Sequence, residues 1–90
     1  LLAGVSEVAT DLQGLANLQQ VAGLQTEEVA VWRQAARTSE DLFANGYAAY
    51  LEVINAQRSA LDAELALITT KRAQFLTLID LYRSLGGGWR

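Results

Sequence analysis

The side chains in this sequence able to do acid–base or nucleophilic chemistry are ten carboxylates, three tyrosines, ten serine and threonine hydroxyls and one lysine, Lys71. There is no histidine and no cysteine. The commonest general base, the thiolate nucleophile and the strongest metal ligands are therefore missing, and any reaction centre would have to be built from carboxylates, hydroxyls and Lys71. Asp62 and Glu64 are two positions apart and point to different sides of a helix, while Glu27-Glu28 and Glu40-Asp41 have the character of solvated helix faces. No catalytic set, no cofactor site and no metal site is expected. The other spacings with a physical meaning are ionic: Arg37 with Asp41, Arg58 with Asp62, and Asp80 with Arg83 sit three or four apart, where exposed pairs contribute about 0.2–0.5 kcal/mol each.

Charge narrows the class further. The formal net charge is −3 and the pI is near 4.7. The seven basic residues, Arg33, Arg37, Arg58, Lys71, Arg72, Arg83 and Arg90, are scattered and form no stripe, so a nucleic-acid footprint is not expected. The absence of cysteine excludes disulfides and fits an oxidising compartment such as the periplasm as well as the cytosol.

These side chains must be positioned by helices. The sequence has no proline and is rich in Ala, Leu and Gln, which makes all-α the expected class. From Val5 to Phe43 apolar or small residues recur by threes and fours (Val5, Val8, Leu12, Leu15, Ala22, Val29, Ala36, Phe43), with Gln19, Thr26, Arg33 and Glu40 at the interrupted positions. An offset set, Leu18, Val21, Trp32, Ala35 and Leu42, widens the apolar face beyond a two-stranded seam. Gly14 and Gly23 interrupt the helix at about 1 kcal/mol each relative to alanine, a tolerated weakness or a close approach by a neighbour.

Asn45-Gly46 is the clearest break, because both residue types accept the left-handed conformation that ends a helix. A second helix follows with a large-residue stripe at Leu51, Ile54, Leu61, Leu65, Ile68, Phe75, Ile79 and Tyr82. A separate stripe of small residues, Ala56, Ala60 and Ala63, would let another helix pack closely on a different face. The expected organisation is a long helix over 1–44, a turn over 45–48, a returning helix over 49–85 and a Gly-rich tail over 86–90, with Trp89 as an apolar anchor. Folding at Asn45-Gly46 brings Val29 near Ala63 and Leu12 near Ile79. The result is a long antiparallel two-helix hairpin of coiled-coil character.

Half of the residues are hydrophobic, 51%, and a lone hairpin has too little interior to hide them, so partner helices are expected. The chain opens on Leu1, with neither a basic n-region nor a cleavage site, and its native start is expected to lie further upstream. No run approaches the roughly 20 apolar residues of a membrane-spanning helix.

Around the turn, Phe43, Tyr47 and Tyr50 place three rings where polar residues are usual; they staple the hairpin or meet a partner. Glu52 falls in the first turn of the second helix, where a carboxylate meets the unpaired N–H groups and the positive end of the dipole. Alternatively, copies of Glu52 from several subunits form an acidic ring at a pore mouth.

The segment from Leu42 to Arg58, LFANGYAAYLEVINAQR, closely resembles the second periplasmic hairpin of the TolC-like outer-membrane efflux proteins. The ending from Leu81 to Trp89, LYRSLGGGW, is similar to the C-terminal signature of that family's lipoprotein branch, which works with resistance-nodulation-division (RND) pumps. The likeness covers essentially the whole chain but only about the last fifth of a typical family member. It implies a homotrimer whose β-barrel lies in the outer membrane and continues as an α-helical barrel across the periplasm, each protomer built from two structural repeats. This chain would supply one hairpin of that barrel, touching the membrane only through the β-barrel part that lies elsewhere. The implied partners are a periplasmic adaptor (membrane fusion) protein and an inner-membrane RND pump; the implied cargo is small molecules or metal ions.

By the same resemblance Asn45, Gly46, Tyr47, Ala48, Ala49 and Tyr50 form the adaptor-contacting tip. Glu52 and Asn55 match positions that carry paired acidic residues at the closed entrance of some relatives; Asn55 is uncharged here, leaving a single acidic ring. Ala49 stands where many relatives have Ser or Thr, so Glu52 keeps half of a capping box. The competing expectation is a free-standing coiled-coil interaction module, which the periodicity alone permits.

Overall fold

The computed structural model describes residues 2–86, with side chains from Val5 onward. Two helices account for nearly all of them: α1, Leu2–Ala44, and α2, Tyr50–Gly86. Among the described residues there is no strand, and the fold class is all-α, as the composition requires. The proposed Trp89 anchor and the last glycines of the GGGW ending lie outside the described residues. Among the described residues no helix is long and apolar enough to cross a membrane. The chain divides into two units, Gly23–Ile68 around the turn, and Leu1–Ala22 with Thr69–Arg90.

In the turn unit the arms are antiparallel, and two polar contacts show it. The Arg33 guanidinium donates from Nε to Glu64 Oε1 at 2.8 Å, and Gln57 Nε2 donates to Glu40 Oε1 at 2.8 Å. Seven residues onward along α1 corresponds to seven residues back along α2. Both contacts are centred slightly beyond the middle of the turn. Side chains lean toward their own helix N-terminus by about one position, away from the turn on α1 and toward it on α2.

Beside these contacts runs the seam. On α1 it runs through Gln25, Val29, Ala36 and Ser39; on α2 through Val53, Ala56, Ala60, Ala63 and Leu67, spaced three and four apart. Val53 is 4% exposed and Ala63 7%. With only two arms in the unit, whatever is buried is buried against the other arm.

This corrects two expectations. The alanine stripe on α2 does not wait for an additional helix; it packs against α1, where small side chains allow close approach. On α1 the expected repeat is half kept: Val29 and Ala36 are buried, but Arg33 and Glu40 flank the seam and Phe43 is half exposed. Small side chains let the two arms approach closely, and the polar flank goes with that packing. Rotating α2 to bring Leu61 and Leu65 inward would carry Gln57 and Glu64 away from Glu40 and Arg33.

The large-residue stripe of α2 consequently faces outward. In this unit Leu61 is 54% exposed and Ile68 60%, with Leu51 and Leu65 also open. Each stripe residue stands two positions before a seam residue, which is about 200° around a helix of about 3.6 residues per turn. On α1, Leu24, Val31 and Leu42 are open as well.

The other unit has a more polar seam. Val8, Asp11, Leu15, Leu18 and Ala22 of α1 are half buried, as are Gln74, Thr77, Leu81 and Ser84 of α2, and Thr70 is buried. Phe75 and Tyr82 are exposed. Glu7, Asp11, Asp80, Arg83 and Ser84 line an open groove here. Among the described residues the ion pair that forms is Arg33–Glu64, and none of the three within-helix pairs read from spacing closes. Arg37 donates instead to Gln34 Oε1 at 2.9 Å. A pair within one exposed helix gains too little to fix two long side chains.

Candidate functional site at the turn

The residues singled out by sequence gather at one end of the turn unit, and the backbone there is closed by hydrogen bonds of its own. Gly46 has φ of 82°. Its N–H reaches Phe43 O at 3.0 Å, and the Tyr47 N–H reaches Leu42 O at 2.8 Å. This is the paired arrangement of a Schellman cap, with Gly46 in the left-handed position that lets the chain leave α1 without a Cβ clash. Asn45 adds to it: its N–H and its Nδ2 both donate to Asp41 O, at 3.2 and 2.8 Å. Three of the last carbonyls of α1 are thereby satisfied.

Ala49 is the residue before α2, and its carbonyl accepts from the Glu52 N–H at 3.0 Å. It stands at the N-cap with no side-chain oxygen to offer. Glu52 is the acidic residue of that first turn, exposed, with its charge at the positive end of the helix dipole. Asn55 is three residues on and also exposed, so the two lie on neighbouring parts of one helix surface.

The three rings divide. Phe43 and Tyr50 pack across the turn with ring centroids 5.4 Å apart and planes tilted by 53°, a geometry that complements the ring quadrupoles. Tyr47 is 82% exposed and takes no part. Two rings therefore staple the hairpin and one stands free. Ala48 is half buried between them in sequence.

Sequence reasoning missed the cross-arm contacts Arg33–Glu64 and Glu40–Gln57. The signal was available: polar residues at seven-residue spacing on both arms, at matched distances from the turn. Among the described residues no group of three or more His, Cys, Asp or Glu side chains could hold a metal ion.

The arrangement is a capped turn with a free aromatic ring, on a hairpin whose outer faces are apolar. The sequence pattern of the family described as outer membrane efflux protein matches residues 2–87. The chain belongs to the outer membrane efflux protein family. The family is one of outer-membrane export channels, not of enzymes.

Individual relatives agree. This family member is 40% identical over 57 residues to the cation efflux system protein CusC of Escherichia coli, a match covering 63% of the chain and 12% of that protein. It is 35% identical over 56 residues to the outer membrane protein OprJ of Pseudomonas aeruginosa, covering 62% of the chain and 12% of OprJ. A CusC from another Escherichia coli strain is 30% identical over 84 residues, 93% of the chain and 18% of the relative. The chain thus spans less than a fifth of the length of these relatives. No solved structure matches it.

Proposed function

We propose that this hairpin is a wall segment of a homotrimeric outer-membrane efflux channel, lining the periplasmic tunnel and presenting its turn at the tunnel entrance. The observation that carries the reading is the outward stripe of α2, large and apolar at heptad spacing and set opposite the seam that joins the two arms. A hairpin that is complete by itself has no use for such a face; a hairpin flanked on both sides by others has one.

The tip residues Asn45, Gly46, Tyr47, Ala48, Ala49 and Tyr50 then meet the periplasmic adaptor, with the exposed Tyr47 ring as the apolar contact. Glu52 and Asn55 face the entrance, where three copies of Glu52 form one acidic ring that attracts cations and repels anions. The hairpin moves nothing by itself: the inner-membrane RND pump supplies the energy, and the cargo is small molecules or metal ions. Similarity to a cation efflux system protein supports cations among that cargo.

The test is Leu65→Glu in the full-length protein, assayed in outer membranes for trimers and in cells for export. A charge in the middle of a buried stripe prevents close packing, so trimers and export should both be lost. Wild-type assembly and export in that variant would overturn the wall reading and favour a free-standing module.

A further inference from the structure

The outward stripe of α2 is broken once in each unit, and both times by the same residue type. In the turn unit the positions Leu51, Ile54, Leu61, Leu65 and Ile68 enclose Arg58; in the other unit Ile68's successors along the repeat are Arg72, then Phe75, Ile79 and Tyr82. Both arginines are exposed and, among the described residues, neither makes an ion pair.

A stripe like this must be covered to be useful, and covering it removes the guanidinium from water. A buried arginine is tolerated when a carboxylate meets it, preferably in a two-pronged contact, and is strongly unfavourable when nothing does. We infer that the helix covering α2 presents an apolar heptad face interrupted by a carboxylate at the level of Arg58, and another at the level of Arg72. The inference rests on the wall reading above and specifies the chemistry of the neighbour. That neighbour is a helix from the remainder of the same polypeptide, because relatives more than five times the length of the matched segment have ample chain to supply it. Charge complementarity then sets which helix lies beside α2 and at what level, since a slip of one turn would bury both ions unpaired.

The nearest carboxylate on α2 itself, Asp62, lies four residues from Arg58 and does not close on it. It provides the internal control.

The experiment uses the full-length protein in native outer membranes. Arg58→Leu keeps the stripe apolar but strands the partner carboxylate, and should lower the yield of trimers at least tenfold; Arg58→Lys should retain most of it; Asp62→Asn should leave it unchanged. A photo-crosslinking residue at Leu61 should capture a peptide that lies outside these 90 residues and contains Asp or Glu, and changing that carboxylate to Lys should restore trimers to Arg58→Glu. Wild-type trimers in Arg58→Leu, a loss in Asp62→Asn equal to that in Arg58→Leu, or a crosslink to α1 of a second copy would each overturn the inference. If Leu65→Glu is also silent, the wall reading fails with it; if Leu65→Glu is damaging while Arg58→Leu is silent, the charge pairing alone fails.

Discussion

At the scale of single residues, the turn is fixed by main-chain hydrogen bonds and the entry into α2 is not. Gly46 and Asn45 satisfy the end of α1, but Ala49 offers the start of α2 a carbonyl and no side-chain acceptor. A hydroxyl at that position would accept from the Glu52 N–H, and Glu52 could reach back to the N-cap N–H, completing the box. Ala49→Ser is expected to stabilise the assembled channel by about 0.5–2 kcal/mol, read as a raised thermal midpoint of the trimer. An unchanged midpoint would count against the incomplete cap. The turn was legible in the sequence because cap chemistry is local, as Asn45-Gly46 shows; the missing hydroxyl at Ala49 stood out only through the resemblance to relatives with Ser or Thr there. The split among Phe43, Tyr47 and Tyr50 was not legible, because which rings meet depends on the path of five turn residues.

At the scale of the helices, both periodicities of α2 were visible in the sequence, but their assignment was not. Two heptad faces lie on one helix, one of alanines and one of Leu, Ile and Phe, and hydrophobicity alone favours the larger for any contact. Arg33–Glu64 and Glu40–Gln57 form with the alanine face inward, but such exposed contacts are worth at most about 1 kcal/mol each, so they accompany that packing and do not outweigh the larger face. Gly23 in α1 provides a test of what lies on the far side. A Cβ built there meets nothing within 4 Å, so Gly23→Ala should stabilise an unassembled hairpin by about 1 kcal/mol through helix propensity. In the assembled channel the same substitution reports on the neighbour. A gain there too means open space, whereas a lower trimer midpoint means that another helix approaches α1 at Gly23.

At the scale of the whole chain, the ledger of burial is short. Among the described residues no large side chain is fully buried, while leucines, isoleucines and aromatics remain open on both helices. An isolated peptide of these 90 residues should therefore self-associate, with helicity and melting temperature rising with concentration in circular dichroism and a mass above the monomer in ultracentrifugation. A monomeric melt that is sharp and independent of concentration would contradict the assignment of the outer faces to neighbours. The need for neighbours could be read from composition, since half of the residues are apolar in a chain with two helices' worth of interior. Which neighbours, and at what level, could not, because that information belongs to surfaces outside these residues.

The alanine seam has one further consequence. Small, nearly uniform side chains fit one another almost equally well after a shift of a whole heptad, so the seam by itself is a smooth rail. The two hydrogen-bonded crosspieces are the ratchet teeth: sliding α2 by seven residues would set Gln57 against Arg33 and strand Glu40 and Glu64. Changing both acceptors, Glu40→Leu with Glu64→Leu, removes the two teeth and leaves the capped turn at Asn45-Gly46 as what still sets how far along itself the hairpin closes.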